Sequence, residues 1–218
     1  MSLAVVLSRG LAGLDAPLVT VEIHLGTGLP AFNLVGLPET EVKESRDRVR
    51  AALQNAGFEF PVRKITVNLA PADLPKESGR FDLPIALGIL AASSQLPVGA
   101  LAPYEFAGEL ALTGVLRPIR GALAMTLGAR REGRAFVLPA ESATEAALVR
   151  DAVVYPAASL LAVCAHVAGR ERITALIPSV AAVPTGDAAP LDLADVRGQT
   201  QAKRALTIAA GAHSLLIL

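Results

Sequence analysis

Apolar and polar residues alternate along residues 19–25. Val19, Val21, Ile23 and Leu25 are separated by Thr20, Glu22 and His24. A period of two sends successive side chains to opposite faces, so the run predicts a half-buried strand. Residues 31–35 form a second short run, and the turn at residues 26–30 predicts that it returns as a hairpin partner. Pro38 and Glu39 then open a helix reaching Asn55, with Val42, Val49, Leu53 and Ala56 on one face. Its outer face sets Glu39 against Lys43 and Glu44 against Arg48, one turn apart, and Gly57 ends it. Ile65, Val67 and Leu69 resume the period of two.

Asp82 is placed to cap a buried helix over residues 83–93, with Pro84 in its first turn. Short strands are expected around Gly108 and Gly114 within residues 106–116. A helix (119–131), a strand (135–138), a helix (143–149), a strand (152–155) and a helix (159–167) follow. Residues 178–190 (PSVAAVPTGDAAP) have the composition of a linker. Beyond them a turn near Asp195 leads into an amphipathic helix through Ala202, Leu206 and Ile208. Gly211 then breaks the helix and an apolar strand spans 214–218. Strands alternating with helices predict an α/β fold, and no internal repeat is present.

Charge and composition exclude several classes. The 20 basic and 20 acidic residues cancel, so no global field draws the chain to nucleic acid or membrane, and such contact needs a local patch. The single cysteine, Cys164, lies in an apolar run and forms neither an internal disulfide nor a Cys-based zinc site. His24, His166 and His213 have no metal-ligand spacing, so no metal site is expected. Residues 83–104 are uncharged, but their continuous apolar part, 83–92, is roughly half a membrane span. The sequence therefore reads as a cytoplasmic protein without a membrane segment. Residues 1–8 are too short for a signal peptide.

Four runs together resemble one family: GLPAFNLVGLPETEVKESRDRVRAAL, ITVNLAPADLPKESGRFDLPIALGILAAS, GELALTGVLRPIRGALAM and DLADVRGQTQAKRALTIAA. They are similar to the Mg-chelatase-like AAA+ ATPases of the ComM/YifB competence type, over nearly the whole chain. The resemblance implies a ribosomal-protein-S5/Lon-protease-like domain at residues 1–170, a linker at 171–190 and the start of an AAA+ domain at 191–218. It also implies work as a homo-hexameric, DNA-processing branch-migration motor in natural transformation, with ATP and Mg in the full-length protein. The alternative is a protein-interaction platform of a Mg-chelatase-like remodelling ATPase.

The phosphate-binding pattern G-x-x-x-x-G-K-[ST] occurs nowhere in the 218 residues. The chain is therefore expected to stop before that loop, to bind no cofactor alone and to be inactive by itself. By resemblance, Val196, Gly198 and Gln199 would lie against an adenine ring. Read from the residues alone, Gly198 permits a turn and Gln199 caps the next helix. Gly36–Lys43 imitates a phosphate loop, but lacks its second glycine, and Glu39 and Glu41 would repel phosphate.

A Lon-like fold raises a Ser-Lys protease reading. By resemblance the nucleophile falls near Phe81 and Asp82, and the lysine at Ala122 or Leu123. Both halves of the dyad are thus missing, and Ser78 stands upstream of the expected place. Lys76 and Arg80 lie in the loop before the Asp82 helix, and Arg117 and Arg120 flank Pro118. If the fold brings these loops together, the four cations make a groove for weak contacts with a DNA backbone. Alternatively, they order the loops by pairing with Asp73, Glu77, Asp82 or Glu109.

Overall fold

Strand β1 (Leu3–Arg9) stands where the sequence pattern announced none. In the computed structural model, which describes residues 3–176 and 192–211, Ala4 and Val6 face the core and Leu3 and Val5 face out. Apolar residues on both faces conceal the alternation. β1 pairs antiparallel with β2 (Leu18–Gly26), whose Val19, Val21, Ile23 and Leu25 are all buried, as the period of two predicts.

The expected hairpin does not form. β3 (Ala31–Val35) is followed by helices α1 (Thr40–Lys43) and α2 (Ser45–Asn55) and then β4 (Lys64–Ala70). β3 pairs in parallel with β4, with Phe32 opposite Ile65. β4 is inserted antiparallel to β2, with Val67 opposite Ile23. β4 buries Ile65, Val67 and Leu69 completely or nearly so and takes the position between two strands, while the half-exposed β3 becomes the edge. The helix expected from residue 38 to 55 is broken at Glu44.

Helix α3 (Asp82–Ala92) is buried along its whole length and packs on β1 and β2. The packing is close enough that a Cβ on Gly88 would meet Ile23 Cγ1 at 2.4 Å, so only glycine fits. β5 (Tyr104–Phe106) extends the sheet in parallel from β1, and β6 (Glu109–Leu110) pairs with β7 (Leu116–Arg117) as a separate ribbon. α4 (Ala122–Arg131), β8 (Ala135–Pro139), α5 (Ala143–Ala146), β9 (Val154–Ala157) and α6 (Leu160–Val167) complete the first unit. The main sheet runs β3-β4-β2-β1-β5-β8-β9, with its β1-to-β9 side parallel.

α4 starts three residues later than the sequence suggests, after Gly121 in the left-handed region. α5 ends at Ala146, and β9 begins at Val154. The Ser159 hydroxyl caps α6 by accepting from the Ala162 N–H at 3.2 Å.

The chain divides into two compact units, Met1–Val180 and Ala181–Leu218. The second contains α7 (Thr200–Gly211). Gly211 is the last described residue of α7. The linker at 178–190, His213 and the strand expected at 214–218 lie outside the described residues. Among the described residues no helix is long and apolar enough to cross a membrane.

Candidate functional site

A cleft of about 360 Å³ opens where three segments meet. Glu44 and Arg48 come from the α1–α2 junction and α2. Ser78, Gly79 and Arg80 come from the loop before α3. Glu109, Pro118, Ile119 and Arg120 come from the β6–β7 ribbon and the turn beyond it.

Asp82 organises the floor beneath it. The carboxylate is fully buried, yet it does not cap α3, whose N-cap is Phe81 without a side-chain bond. It turns instead to α2. Arg48 Nε donates to Oδ2 at 2.7 Å and Arg48 Nη2 to Oδ1 at 3.2 Å. The Ser45 hydroxyl also donates to Oδ1, and the Leu110 N–H donates to Oδ2 at 3.2 Å. Burial pushes the Asp82 carboxyl up, against the pull of these donors, while the bond to Asp82 raises Arg48. The result is one polar knot joining α2, α3 and β6. Glu44 adds an exposed contact to Arg48 at 3.5 Å.

Arg80 is only 4% exposed. Its Nε donates to the Ser78 hydroxyl oxygen at 2.9 Å, and Nη1 lies 3.9 Å from the Met125 sulfur. Burial depresses its pKa, and the charge of Glu77 opposes that shift. Ser78 has φ 63° and ψ 168°, a conformation nearly confined to glycine. Holding a serine there costs on the order of 1–3 kcal/mol, and such strain gathers at functional loops.

The four cations proposed from the sequence separate here. Arg80 and Arg120 line the cleft. Arg117 does not line it and reaches Glu109 at 3.4 Å on the surface. Lys76 is fully buried and its ammonium donates to the Pro71 carbonyl, so it presents no charge to the cleft. Burial lowers its pKa, with the Asp73 charge acting the other way. Its backbone is tied to the strand-to-helix turn by the Glu39 N–H, which donates to the Lys76 carbonyl at 3.0 Å. Arg48 takes the place in the cleft that Lys76 was expected to have. The sequence signal for it was its pairing distance from Glu44, which reads equally as a solvated helix face.

Residues 21–142 match the model for subunit ChlI of Mg-chelatase, more than half of the chain. Over its full length the chain is 53% identical to competence protein ComM of Haemophilus influenzae. It is 48% identical to protein YifB of Escherichia coli and 39% identical to an uncharacterized protein of Mycobacterium bovis. The chain belongs to the ComM/YifB family of Mg-chelatase-like proteins. It spans 43% of the length of each of these relatives.

In this ComM/YifB-family chain none of the positions that the resemblance assigns to a Lon-like dyad carries a serine or a lysine. Phe81 is a fully buried core residue, Asp82 is held by Arg48, and Ala122 is buried. Leu123 is an exposed apolar residue. The Ser78 hydroxyl is engaged by a guanidinium, which cannot act as a base. The Gly36–Lys43 segment is a turn that runs into α1, and its first residue lies close against β4: a Cβ on Gly36 would lie 2.1 Å from the Leu69 carbonyl oxygen.

In the second unit, Asp192 accepts from the Ala194 N–H at 2.8 Å and Asp195 accepts from the Asp192 N–H at 3.2 Å, a reciprocal cap. Gly198 and Gln199 both take positive φ, and the Gln199 carbonyl accepts the Lys203 N–H at 2.9 Å to begin α7. Val196 is 43% exposed beside this turn.

His166 and Cys164 are embedded in packing. His166 Nδ1 accepts from the Ile173 N–H at 3.0 Å, its ring stacks near Tyr155 and Tyr104, and burial lowers its pKa. Burial pushes the Cys164 thiol up to about 12, which leaves it an inert core residue. His24 is exposed on β2.

Proposed function

We propose that this chain is the non-proteolytic, S5/Lon-like N-terminal accessory domain, with the beginning of the motor domain, of a cytoplasmic Mg-chelatase-like AAA+ ATPase that processes DNA in natural competence. The observation that carries this reading is the 53% identity, over all of the chain, to a protein named competence protein ComM. The complete protein would use ATP and Mg and work as a homo-hexamer on branched DNA. Val196, Gly198 and Gln199 would line the adenine side of its nucleotide pocket. The role of the first unit would be to hold DNA weakly by its backbone, through Arg80 and Arg120 with Arg117 at the rim. Net charge is zero, so contact of this kind is local and independent of sequence.

A gel-shift assay with branched and single-stranded DNA at two salt concentrations tests this. Weak binding that falls with salt is expected, and each phosphate contact removed by substitution lowers the salt slope by roughly 0.7–0.9. Absence of any shift at low salt with both DNAs would remove the DNA-holding role.

A second reading is favoured by the sheet edge. Among the described residues β3 has no partner on its outer side, and Leu29 and Val62 nearby are 88% and 82% exposed. An uncovered strand edge beside apolar side chains suits a protein partner, the platform of a remodelling ATPase.

A further inference from the structure

We propose that the cleft is an oxyanion site that takes a phosphate group, held by Arg80 and Arg120 and by the Ser78 hydroxyl. The proposal goes beyond the competence reading and does not depend on DNA binding.

The case starts from Arg80. A guanidinium carries five N–H donors and keeps its charge when buried. Buried charges are ordinarily paired with a carboxylate or its equivalent. Arg80 is buried, but its bonds within the described residues go to a hydroxyl oxygen and a thioether sulfur, the second a weak acceptor. The carboxylate whose charge reaches it, Glu77, makes no hydrogen bond to it. Its nitrogens are not among the buried polar atoms sealed without a partner, and the residue lines the cleft. The unused donors therefore have one outlet, the cleft itself.

The other charged side chains around the cleft are engaged with one another, Arg48 serving two carboxylates. Arg48 is bonded to Asp82, Glu44 lies against Arg48, and Glu109 lies against Arg117. Arg120 lines the cleft, is exposed, and has no hydrogen bond or ion pair among the described residues. Two guanidinium groups with no carboxylate hydrogen-bonded to them among the described residues thus come from two different loops. Ser78 Oγ accepts from Arg80, which leaves its own proton free to donate into the same space.

This donor set selects the ligand class. A planar carboxylate is satisfied by a single guanidinium fork. Two guanidinium groups and a hydroxyl from separate segments match a tetrahedral oxyanion, whose oxygens point several ways. Arginine is also the preferred cation for phosphate. The volume of about 360 Å³ accepts a phosphate together with part of whatever bears it.

Titration of the 218-residue chain with inorganic phosphate, against chloride and acetate at matched ionic strength, tests the site by melting temperature and by backbone amide shifts. Phosphate should raise the melting temperature saturably and move the amides of Gly79, Arg80 and Arg120, with acetate much weaker. Arg120→Ala should fold normally and bind phosphate about tenfold more weakly, the loss of a charge-assisted bond. Arg80→Met should lose the phosphate response while melting as high as the parent, or higher, in phosphate-free buffer. If Arg80→Met fails to fold, Arg120→Ala decides. No saturable response in the parent chain overturns the site, and so does a response unchanged by Arg120→Ala.

Competition identifies the source of the phosphate. A single-stranded oligonucleotide that displaces phosphate with or without its 5′-phosphate supports a backbone diester. Displacement only by the 5′-phosphorylated form supports a terminal monoester, and displacement by neither supports free phosphate. A positive phosphate titration beside a negative gel shift would remove the DNA reading and keep the site.

Discussion

Arg9 and Glu105, on adjacent parallel strands β1 and β5, form a buried two-pronged ion pair. Nε lies 2.5 Å from Oε2 and Nη2 lies 2.8 Å from Oε1. The same guanidinium donates to the Ala16 carbonyl at 2.9 Å, and Arg134 reaches Glu105 Oε1 at 3.0 Å. The side chains of Arg9 and Glu105 are 5% and 0% exposed. The pair lies where the antiparallel side of the sheet meets the parallel side, next to the pairing of Leu7 with Glu105. Gly128 makes room for it, since a Cβ there would meet Arg9 Nη1 at 2.5 Å.

Removing Arg9 alone leaves Glu105 buried with only Arg134. Arg9→Met should destabilise the first unit by about 3–5 kcal/mol, toward the lower end because Arg134 remains. Arg9→Met combined with Glu105→Leu should recover most of the loss, since an apolar pair needs no desolvation. Urea unfolding measures both, and a double variant no better than the single one would contradict this account.

Lys76 and Arg120 should behave oppositely. Lys76→Ala removes a fully buried stem and a bond to Pro71, so the melting temperature should fall by several degrees with DNA affinity unchanged. Arg120→Ala, at an exposed position, should alter stability by no more than about 0.5 kcal/mol. A Lys76→Ala protein that melts normally and loses DNA would place this ammonium at the surface.

His166 should make the first unit acid-sensitive. Burial, with a smaller contribution from the Arg172 charge, lowers its folded pKa below the usual value. The unfolded chain therefore takes up the proton first. The contribution is fully present above the unfolded pKa of about 6.5 and is lost as pH falls below it toward the folded pKa. His166→Asn keeps an acceptor for the Ile173 N–H and should flatten that part of the profile in urea midpoints measured across this range. An unchanged slope would assign the acid sensitivity to other groups.

The chain should not cleave unfolded protein. Casein should stay intact on prolonged incubation, and Ser78→Ala should make no difference to that result. Cleavage abolished by Ser78→Ala would restore a catalytic role to the loop before α3.

The sequence by itself determined the one-sided strands and the family. Val19–Leu25 and Ile65–Leu69 bury one face, and a period of two is the direct trace of that burial. The family runs are continuous stretches whose match needs no knowledge of their neighbours in space. The lack of a phosphate-loop pattern is likewise local information.

Only the tertiary structure decided the partners. A period tells which face is buried but not against what, so β3 could be read as the mate of β2 until β4 took the place between them. Arg9 and Glu105 are 96 residues apart, and Arg48 and Asp82 are 34 apart, so neither pair leaves a local spacing to detect. Lys76 and Arg80 are close in the same loop, yet one turns to a backbone carbonyl in the interior and the other lines the cleft. Which way a charged side chain turns depends on the acceptors that distant segments bring within reach, and that is a property of the assembled fold.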